Sequence, residues 1–323
     1  MRAIQVTRHG GPDVLAFGSV DDPIPAADEV VVRTTAVGVN FIDTYLRRGL
    51  YPSTPPYIPG TEGAGVVVAA GPEVTTLHEG QRVAWCAAPG SYAELVAVPE
   101  SKAVPVPDGV DDAVAGSSLL RGLTAHYLLD GSAHPRSGDA VLVHAGGGGV
   151  GLILTQLAAR RGLTVITTVS SDEKEALSRA AGADHVLRYG DDLAARVREL
   201  TDGHGVQVAY DGVGADTFEQ SLASTAIRGT IVLFGAASGP VPPFDLQRLN
   251  AAGSLSVTRP TLAHFTATAQ ELTWRAGEYF DAVLDGLEVR VGQSYRLADA
   301  AAAHTDLEAR VTTGTTVLLP QQK

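Results

Sequence analysis

Cysteine is nearly absent: Cys86 is the only one among 323 residues, so no internal disulfide forms and no thiolate cluster can hold a metal. Lysine is scarce as well, with Lys102, Lys174 and Lys323 the only three. Basic residues number 24 against 36 acidic ones, a net charge of −12 at pH 7 with histidine neutral. Such a surface repels phosphate backbones, so no nucleic-acid partner is expected. No apolar signal segment follows the N-terminus, where Met1-Arg2-Ala3-Ile4-Gln5-Val6 reaches another charge at Arg8. A cytoplasmic, reducing compartment is the expectation. Ala140 to Ala159 carries no charge for twenty residues, a bilayer-spanning length, but Gly146 to Gly149, His144 and Gln156 argue against a membrane segment. That run reads as a buried strand, a turn and the start of a buried helix. The nine histidines are scattered without HExxH spacing, and His144 reads as a satisfied strand-end residue. Gly116-Ser117-Ser118 lacks the G-x-S-x-G frame of a nucleophile elbow, and Cys86, after Trp85, reads as inert packing.

What is present points to two domains. The chain is 45% apolar and 19% charged, enough for sizeable cores. In the first third, β-branched runs at Ala3–Val6, Glu29–Val39, Gly65–Ala70 and Tyr92–Val98 alternate with Gly/Pro turns. One helical insert, Phe41 to Arg48, precedes the Pro-rich loop Tyr51 to Gly60, and the whole suggests a barrel-like domain. From about Gly122 the texture becomes strand–helix alternation. Strands are predicted at Val141–Val143, Thr164–Val169, His185–Leu187, Val206–Tyr210 and Thr230–Phe234, and helices at Val150–Arg161, Asp172–Ala181, Asp191–Leu200 and Ala215–Ala223. That order implies βαβ units and a parallel sheet. The tail offers helices at Leu262–Leu284 and Ala298–Arg310 and a last strand at Thr316–Leu319.

The strongest local signal is His144-Ala145-Gly146-Gly147-Gly148-Gly149-Val150-Gly151, in which Gly146, Gly148 and Gly151 satisfy G-x-G-x-x-G between a predicted strand and a predicted helix. The first glycine permits a tight turn, the second a close approach of backbone to a pyrophosphate, and the third close helix–strand packing. The helix N-terminus, with Gly149 and Val150, then offers N–H groups to anionic oxygens. A cofactor without a 2′-phosphate is held by an acidic residue at the tip of the second strand. Here that tip reads Thr168-Val169-Ser170-Ser171, with Lys174 one helical turn on and Tyr189 after the next strand. Hydroxyls and a cation in that place favour NADPH over NADH. Asp172 reads as the cap of a helix starting at Glu173 rather than as a ribose ligand.

These residues resemble a family. The chain is similar nearly end to end, from His9-Gly10-Gly11-Pro12 to Thr315-Thr316-Val317-Leu318-Leu319-Pro320, to the zinc-independent quinone oxidoreductases, the zeta-crystallin-like branch of the medium-chain dehydrogenase/reductase superfamily. The most specific block is Val37 to Pro52, with further matches at Arg121-Gly122-Leu123-Thr124-Ala125, the glycine loop and Val257-Thr258-Arg259-Pro260. Relatives often carry small non-glycine residues at 146 and 147, a departure that should loosen the loop.

The resemblance implies an α/β protein with a GroES-like β-barrel domain and an inserted Rossmann domain with a doubly wound parallel sheet. The expected division is 1–121 for the barrel, 122–258 for the nucleotide domain and 259–323 completing the barrel. Where alcohol dehydrogenases of the superfamily carry zinc-binding Cys and His, this chain has Asn40 and, in Gly60-Thr61-Glu62, Thr61; Glu62 alone cannot make a three-ligand site. Without a Lewis acid the acceptor must be one that takes hydride unaided, a quinone or a conjugated enone. By the same resemblance Asn40, Tyr45 and Tyr51 border nicotinamide and acceptor, and Arg121 and Thr124 lie near the cofactor. Arg310 reaches toward it, and Phe234, Gly235 and Ser238 follow a strand's carboxyl end, where open sheets bind ligands. A homodimer through edge strands of the nucleotide domains is also implied. The reading is an NADPH:quinone oxidoreductase, with enone or enal reduction and a non-catalytic, RNA-binding NADPH module as its rivals.

Overall fold

The computed structural model describes residues 1–321. Its contacts divide the chain into two units, Met1–Arg121 with Thr266–Lys323, and Gly122–Phe265. Residues 259–265, expected with the barrel, go with the second unit. Arg259 donates to the Leu233 carbonyl at 3.0 Å, and Phe265 stacks on Tyr127 with ring centroids 4.5 Å apart. One helix, Asp112–Tyr127, runs through the division after Arg121.

In the first unit the long strand Glu29–Gly38 organises the sheet. It is antiparallel to Glu62–Ala70 along one edge and to Leu95–Pro99 along the other. Its far end takes the C-terminal strand, pairing Val317 with Gly38 and Leu318 with Val37. Register shifts at Val31/Val32 and Thr34/Ala36 bend the strand, as bulges do where a sheet curls toward a barrel. Alternation puts Val30 and Val32 in one apolar cluster with Trp85, Val96 and Val98. Val37 and Val39 join another with Ile4, Tyr92, Ala303 and Leu307. At Gly38 the chain tolerates no side chain: a Cβ would lie 2.1 Å from Glu62 Oε2.

The second unit is a six-stranded parallel sheet. Its order is His185–Arg188, Thr164–Val169, Ala140–Val143, Val206–Asp211, Thr225–Leu233, Ser256–Thr258. The order reverses beside Ala140–Val143, so strands on either side run away from it through helices on opposite faces, the doubly wound arrangement. The strands are buried, β-branched runs, as a sheet covered on both faces requires. The uncharged run Ala140 to Ala159 resolves into the strand Ala140–Val143 and most of the helix Gly149–Arg160. Among the described residues no helix is long and apolar enough to cross a membrane. The single helix expected over Leu262–Leu284 is two, Leu262–Phe265 and Ala269–Leu284. Thr268 makes the break, its hydroxyl accepting the Glu271 N–H at 3.1 Å, an N-cap.

Candidate active site

In the second unit the candidate residues gather at the carboxyl ends of the sheet strands. After Val143 the chain turns through Ala145 at φ 55, and the Gly146 N–H donates to the Thr168 carbonyl at 2.9 Å. A Cβ on Gly151 would meet the Ala145 carbonyl oxygen at 2.2 Å and the Gly146 Cα at 2.9 Å. That position is therefore closed to any side chain, and the helix Gly149–Arg160 sits directly on the loop. Gly148 differs: a Cβ there would have only Ala145 within 4 Å, which leaves its outer side open to a ligand. This helix starts without a side-chain cap and without an acidic residue in its first turn. Its leading amides, those of Gly149, Val150 and Gly151, have no acceptor within the helix, the electrostatic form of an anion site.

The extra glycines sit against packed neighbours rather than open space. A Cβ on Gly146 would lie 2.5 Å from the Thr167 Cβ, and one on Gly147 2.7 Å from the Lys174 Cβ. Both are packed, and the second contact sets the half-buried Lys174 against the loop. Ser170 is exposed at the tip of the second strand. The cap of the next helix is Ser171, whose hydroxyl accepts the Lys174 N–H at 3.3 Å, and the helix starts at Asp172. The sequence expectation that Asp172 is the cap is thereby corrected: Asp172 points to solvent and pairs with Arg188 at 2.6 Å. Arg188, which the sequence reading missed, is also bound by Glu175 at 2.8 Å. The Tyr189 hydroxyl accepts the Ala145 N–H at 3.0 Å, and its ring stacks over His144 at 6.2 Å. His144 is bonded to Thr168 Oγ1 at 2.9 Å and Ser221 Oγ at 3.0 Å. Burial holds its pKa below the usual imidazole value, against the pull of the Asp211 carboxylate.

Phe234, Gly235 and Ser238 follow the strand Thr225–Leu233 and pack on the turn after Asp211. The Phe234 ring covers Gly212, and a Cβ on Gly235 would meet the Gly212 carbonyl at 2.2 Å. The Ser238 hydroxyl donates to the Val213 carbonyl at 2.8 Å and accepts the Asp216 N–H at 3.0 Å, so it shapes the turn. Thr124 is buried in the helix Asp112–Tyr127.

In the first unit Asn40 and Arg121 meet at Glu62. Asn40 precedes the helix Phe41–Arg47 and is buried. Its Nδ2 donates to Glu62 Oε2 at 2.7 Å, while Glu62 Oε1 accepts the Leu120 N–H at 2.6 Å. The Arg121 Nη1 lies 3.6 Å from Glu62 Oε2, and Nη2 donates to the Val39 carbonyl at 2.7 Å. Arg121 is 6% exposed, not a surface charge. Burial pushes the Glu62 carboxyl up, and the Arg121 guanidinium opposes it. Tyr45 and Tyr51 contact edge to face, centroids 5.4 Å apart, with Tyr51 the more exposed. Arg310 is exposed one residue past the C-cap of the helix Ala300–Glu308, at φ 58. Its N–H donates to the Leu307 carbonyl at 3.1 Å, and that of Val311 to the Asp306 carbonyl at 3.3 Å. This is the Schellman ending, whose left-handed residue is usually glycine.

A barrel whose last strand comes from beyond an intervening dinucleotide-type sheet defines the medium-chain dehydrogenase/reductase architecture. Residues 26–108 match the alcohol dehydrogenase GroES-like domain and residues 149–278 the zinc-binding dehydrogenase domain. A quinone oxidoreductase of Pseudomonas aeruginosa is 47% identical over 325 residues, covering 99% of each chain. A 2-haloacrylate reductase from a Burkholderia species is 40% identical, again over 99% of each. A mycobacterial protein solved in complex with NADPH superposes with TM-score 0.97 at 56% identity, over 99% of this chain and all of that one. The chain belongs to the quinone oxidoreductases of the medium-chain superfamily.

Proposed function

We propose that the protein is an NADPH:quinone oxidoreductase that works without a metal. The observation that carries the reading is the uncapped, acid-free N-terminus of the helix Gly149–Arg160 with Lys174 packed against Gly147 at its side. That cradle fits a dinucleotide: open backbone at Gly148, helix amides for a pyrophosphate, and at the adjoining strand tip a lysine and Ser170 for a further phosphate. The mycobacterial relative solved with NADPH supports the same choice. When bound, the reduced nicotinamide supplies a hydride. Asn40, Tyr45 and Tyr51 border the acceptor, where the second Asn40 N–H and the tyrosine hydroxyls are donors for a developing oxyanion. Zinc is not part of this reading. Positions 40 and 61 offer an amide and a hydroxyl, and both oxygens of Glu62 are engaged by Asn40 and the Leu120 N–H. An acceptor that spreads incoming charge onto a remote oxygen needs no Lewis acid, which admits a quinone or a conjugated enone, and the quinone oxidoreductase relatives favour the quinone.

A second reading, reduction of α,β-unsaturated carbonyls, is favoured by the 40% identity to the Burkholderia 2-haloacrylate reductase. Side-by-side turnover of a water-soluble quinone and an enal with NADPH tests the choice, and quinone is expected to have the higher kcat/KM. Preference for the enal overturns the acceptor assignment. NADPH binding with no turnover of either, joined to a salt-sensitive RNA affinity, overturns the enzymatic reading, although a charge of −12 opposes it. The proposal includes a cytoplasmic homodimer, supported by the short strand Ser256–Thr258 at the end of the sheet. Sedimentation of the purified protein tests the dimer.

A further inference from the structure

A line of buried polar groups in the first unit ends on the amino end of the helix that follows Asn40. Arg47, its side chain wholly buried, donates from Nη2 to both Glu308 carboxylate oxygens at 2.8 Å and from Nε to the Gly10 carbonyl at 3.1 Å. Its Nη1 lies 2.9 Å from His304 Nδ1. A guanidinium only donates, so Nδ1 accepts, and the neutral imidazole carries its proton on Nε2. Nε2 lies 2.9 Å from the Tyr92 hydroxyl oxygen and donates to it. The Tyr92 proton is then left for Asp43 Oδ2, 3.1 Å away. Asp43 Oδ2 also accepts the Asn40 N–H at 2.9 Å. From Arg47 through His304 and Tyr92 the donors point one way, toward Asp43.

We infer that Asp43 is a positioning residue: its carboxyl, aligned through Tyr92, His304 and Arg47, holds Asn40 by the backbone while Glu62 holds it by the side chain. The inference rests on the reading of Asn40 as a neighbour of the acceptor. One oxygen of the pair has no counterpart, since Asp43 Oδ1 is buried without a hydrogen-bond partner. The groups that face Asp43 are the Tyr92 hydroxyl, the Glu62 carboxylate, the Arg121 guanidinium and the Tyr57 phenol, with Arg47 on its own helix and His304 behind Tyr92. An ionised Asp43 places a second negative charge beside Glu62, and Arg121 must answer both. Burial first, and the Glu62 charge in addition, lift the Asp43 carboxyl to about 7, against the Asn40 N–H and Tyr92 bonds. The hold on Asn40 therefore changes near neutral pH, and the neutral acid is the form that leaves no unpartnered charge.

The chain has only two asparagines, Asn40 and Asn250, so asparagine-selective 15N labelling of the full-length protein reads Asn40 directly, with Asn40→Ala assigning its signals. The Asn40 backbone and side-chain amide signals are expected to titrate with a midpoint near pH 7. Tyr92→Phe removes a donor that favours the carboxylate and moves the midpoint upward; Asp43→Asn, which imitates the neutral acid, abolishes it. In parallel, kcat of the wild type changes severalfold between about pH 6 and about pH 8, and that of Asp43→Asn is flat over the same range. Asn40 signals that do not titrate, or that titrate alike in all three proteins, overturn the inference whatever the activity. So does a kcat profile that Asp43→Asn and Tyr92→Phe both leave with the wild-type inflection. A wild type that reduces neither quinone nor enal overturns the functional reading instead, and the amide titration still decides whether Asp43 holds Asn40.

Discussion

Lys174→Ala tests the cofactor assignment most directly. The residue is half-buried, with the start of its side chain packed on Gly147, so truncation leaves no core cavity. The neighbouring cation, Arg188, is already engaged by Asp172 at 2.6 Å and Glu175 at 2.8 Å. A charge-assisted hydrogen bond contributes about 1.5–3 kcal/mol. Half exposure and screening at ordinary salt put this one near the lower bound. About 1.4 kcal/mol corresponds to about tenfold in affinity. Initial rates with NADPH and with NADH at saturating quinone should show KM for NADPH raised about tenfold and KM for NADH within about twofold. The NADPH effect should shrink as salt is added. Equal changes for both cofactors would mean that Lys174 meets no 2′-phosphate, and the preference for NADPH would lose its physical basis.

Gly151→Ala forces a methyl group to 2.2 Å from the Ala145 carbonyl oxygen; backbone must shift, and a loss of about 1–3 kcal/mol in stability should appear in urea denaturation together with weaker NADPH binding by fluorescence. Arg310→Gly removes a left-handed non-glycine residue at φ 58 and should raise stability by about 1 kcal/mol. Arg310→Ala keeps the strain, so a drop in NADPH affinity shared by both variants assigns the side chain to the cofactor, and unchanged affinity in both withdraws that assignment. Elemental analysis of the purified enzyme should find no stoichiometric zinc, and EDTA should leave quinone reduction unchanged; loss of activity that zinc restores would refute the metal-free reading.

The glycine loop was legible because its signal is local: three glycines at fixed spacing, a strand before and a helix after. The parallel sheet was legible for the same reason, from short apolar runs alternating with helical stretches. Asp172 was misplaced because Ser-Ser-Asp offers three successive capping side chains, and only geometry selects Ser171. The break at Thr268 was missed although Thr268 and Glu271 form the capping pattern, since apolar residues on both sides continue a helical period. The predicted boundary after 258 failed because side-chain contacts of Arg259 and Phe265, not composition, attach that segment to the second unit. Nothing in the sequence announces the Arg47–His304 pair, separated by 257 positions. Its members look like ordinary polar residues until the last helix is brought against the first. Asp43 stands in the block that resembles the family, yet its partner Tyr92 comes from a loop whose pairing no spacing rule encodes.

That same buried line carries a pH signature in stability. Burial lowers His304 from 6.5 to about 3, helped by the Arg47 charge, while burial raises Asp43 from 3.8 to about 7. In the unfolded chain between 3.8 and 6.5, His304 is charged and Asp43 ionised. In the folded protein the imidazole is neutral and the acid protonated. Each state holds one proton on the pair, so their contributions to the slope of stability against pH cancel. Removing either partner should expose the other. In Asp43→Asn only the histidine is left: its folded pKa is depressed, so stability rises with pH from about 3 to 6.5 relative to wild type. In His304→Gln, whose amide can still accept from Arg47 and donate to Tyr92, only the acid is left. Its folded pKa is raised, so stability is full below 3.8 and is lost as pH rises to about 7. Each slope has an upper bound of about 1.4 kcal/mol per pH unit. Urea midpoints for the three proteins across that window should therefore diverge in opposite directions from the wild-type curve, and two variants that run parallel to it would show that the folded line does not hold a neutral imidazole against a neutral acid.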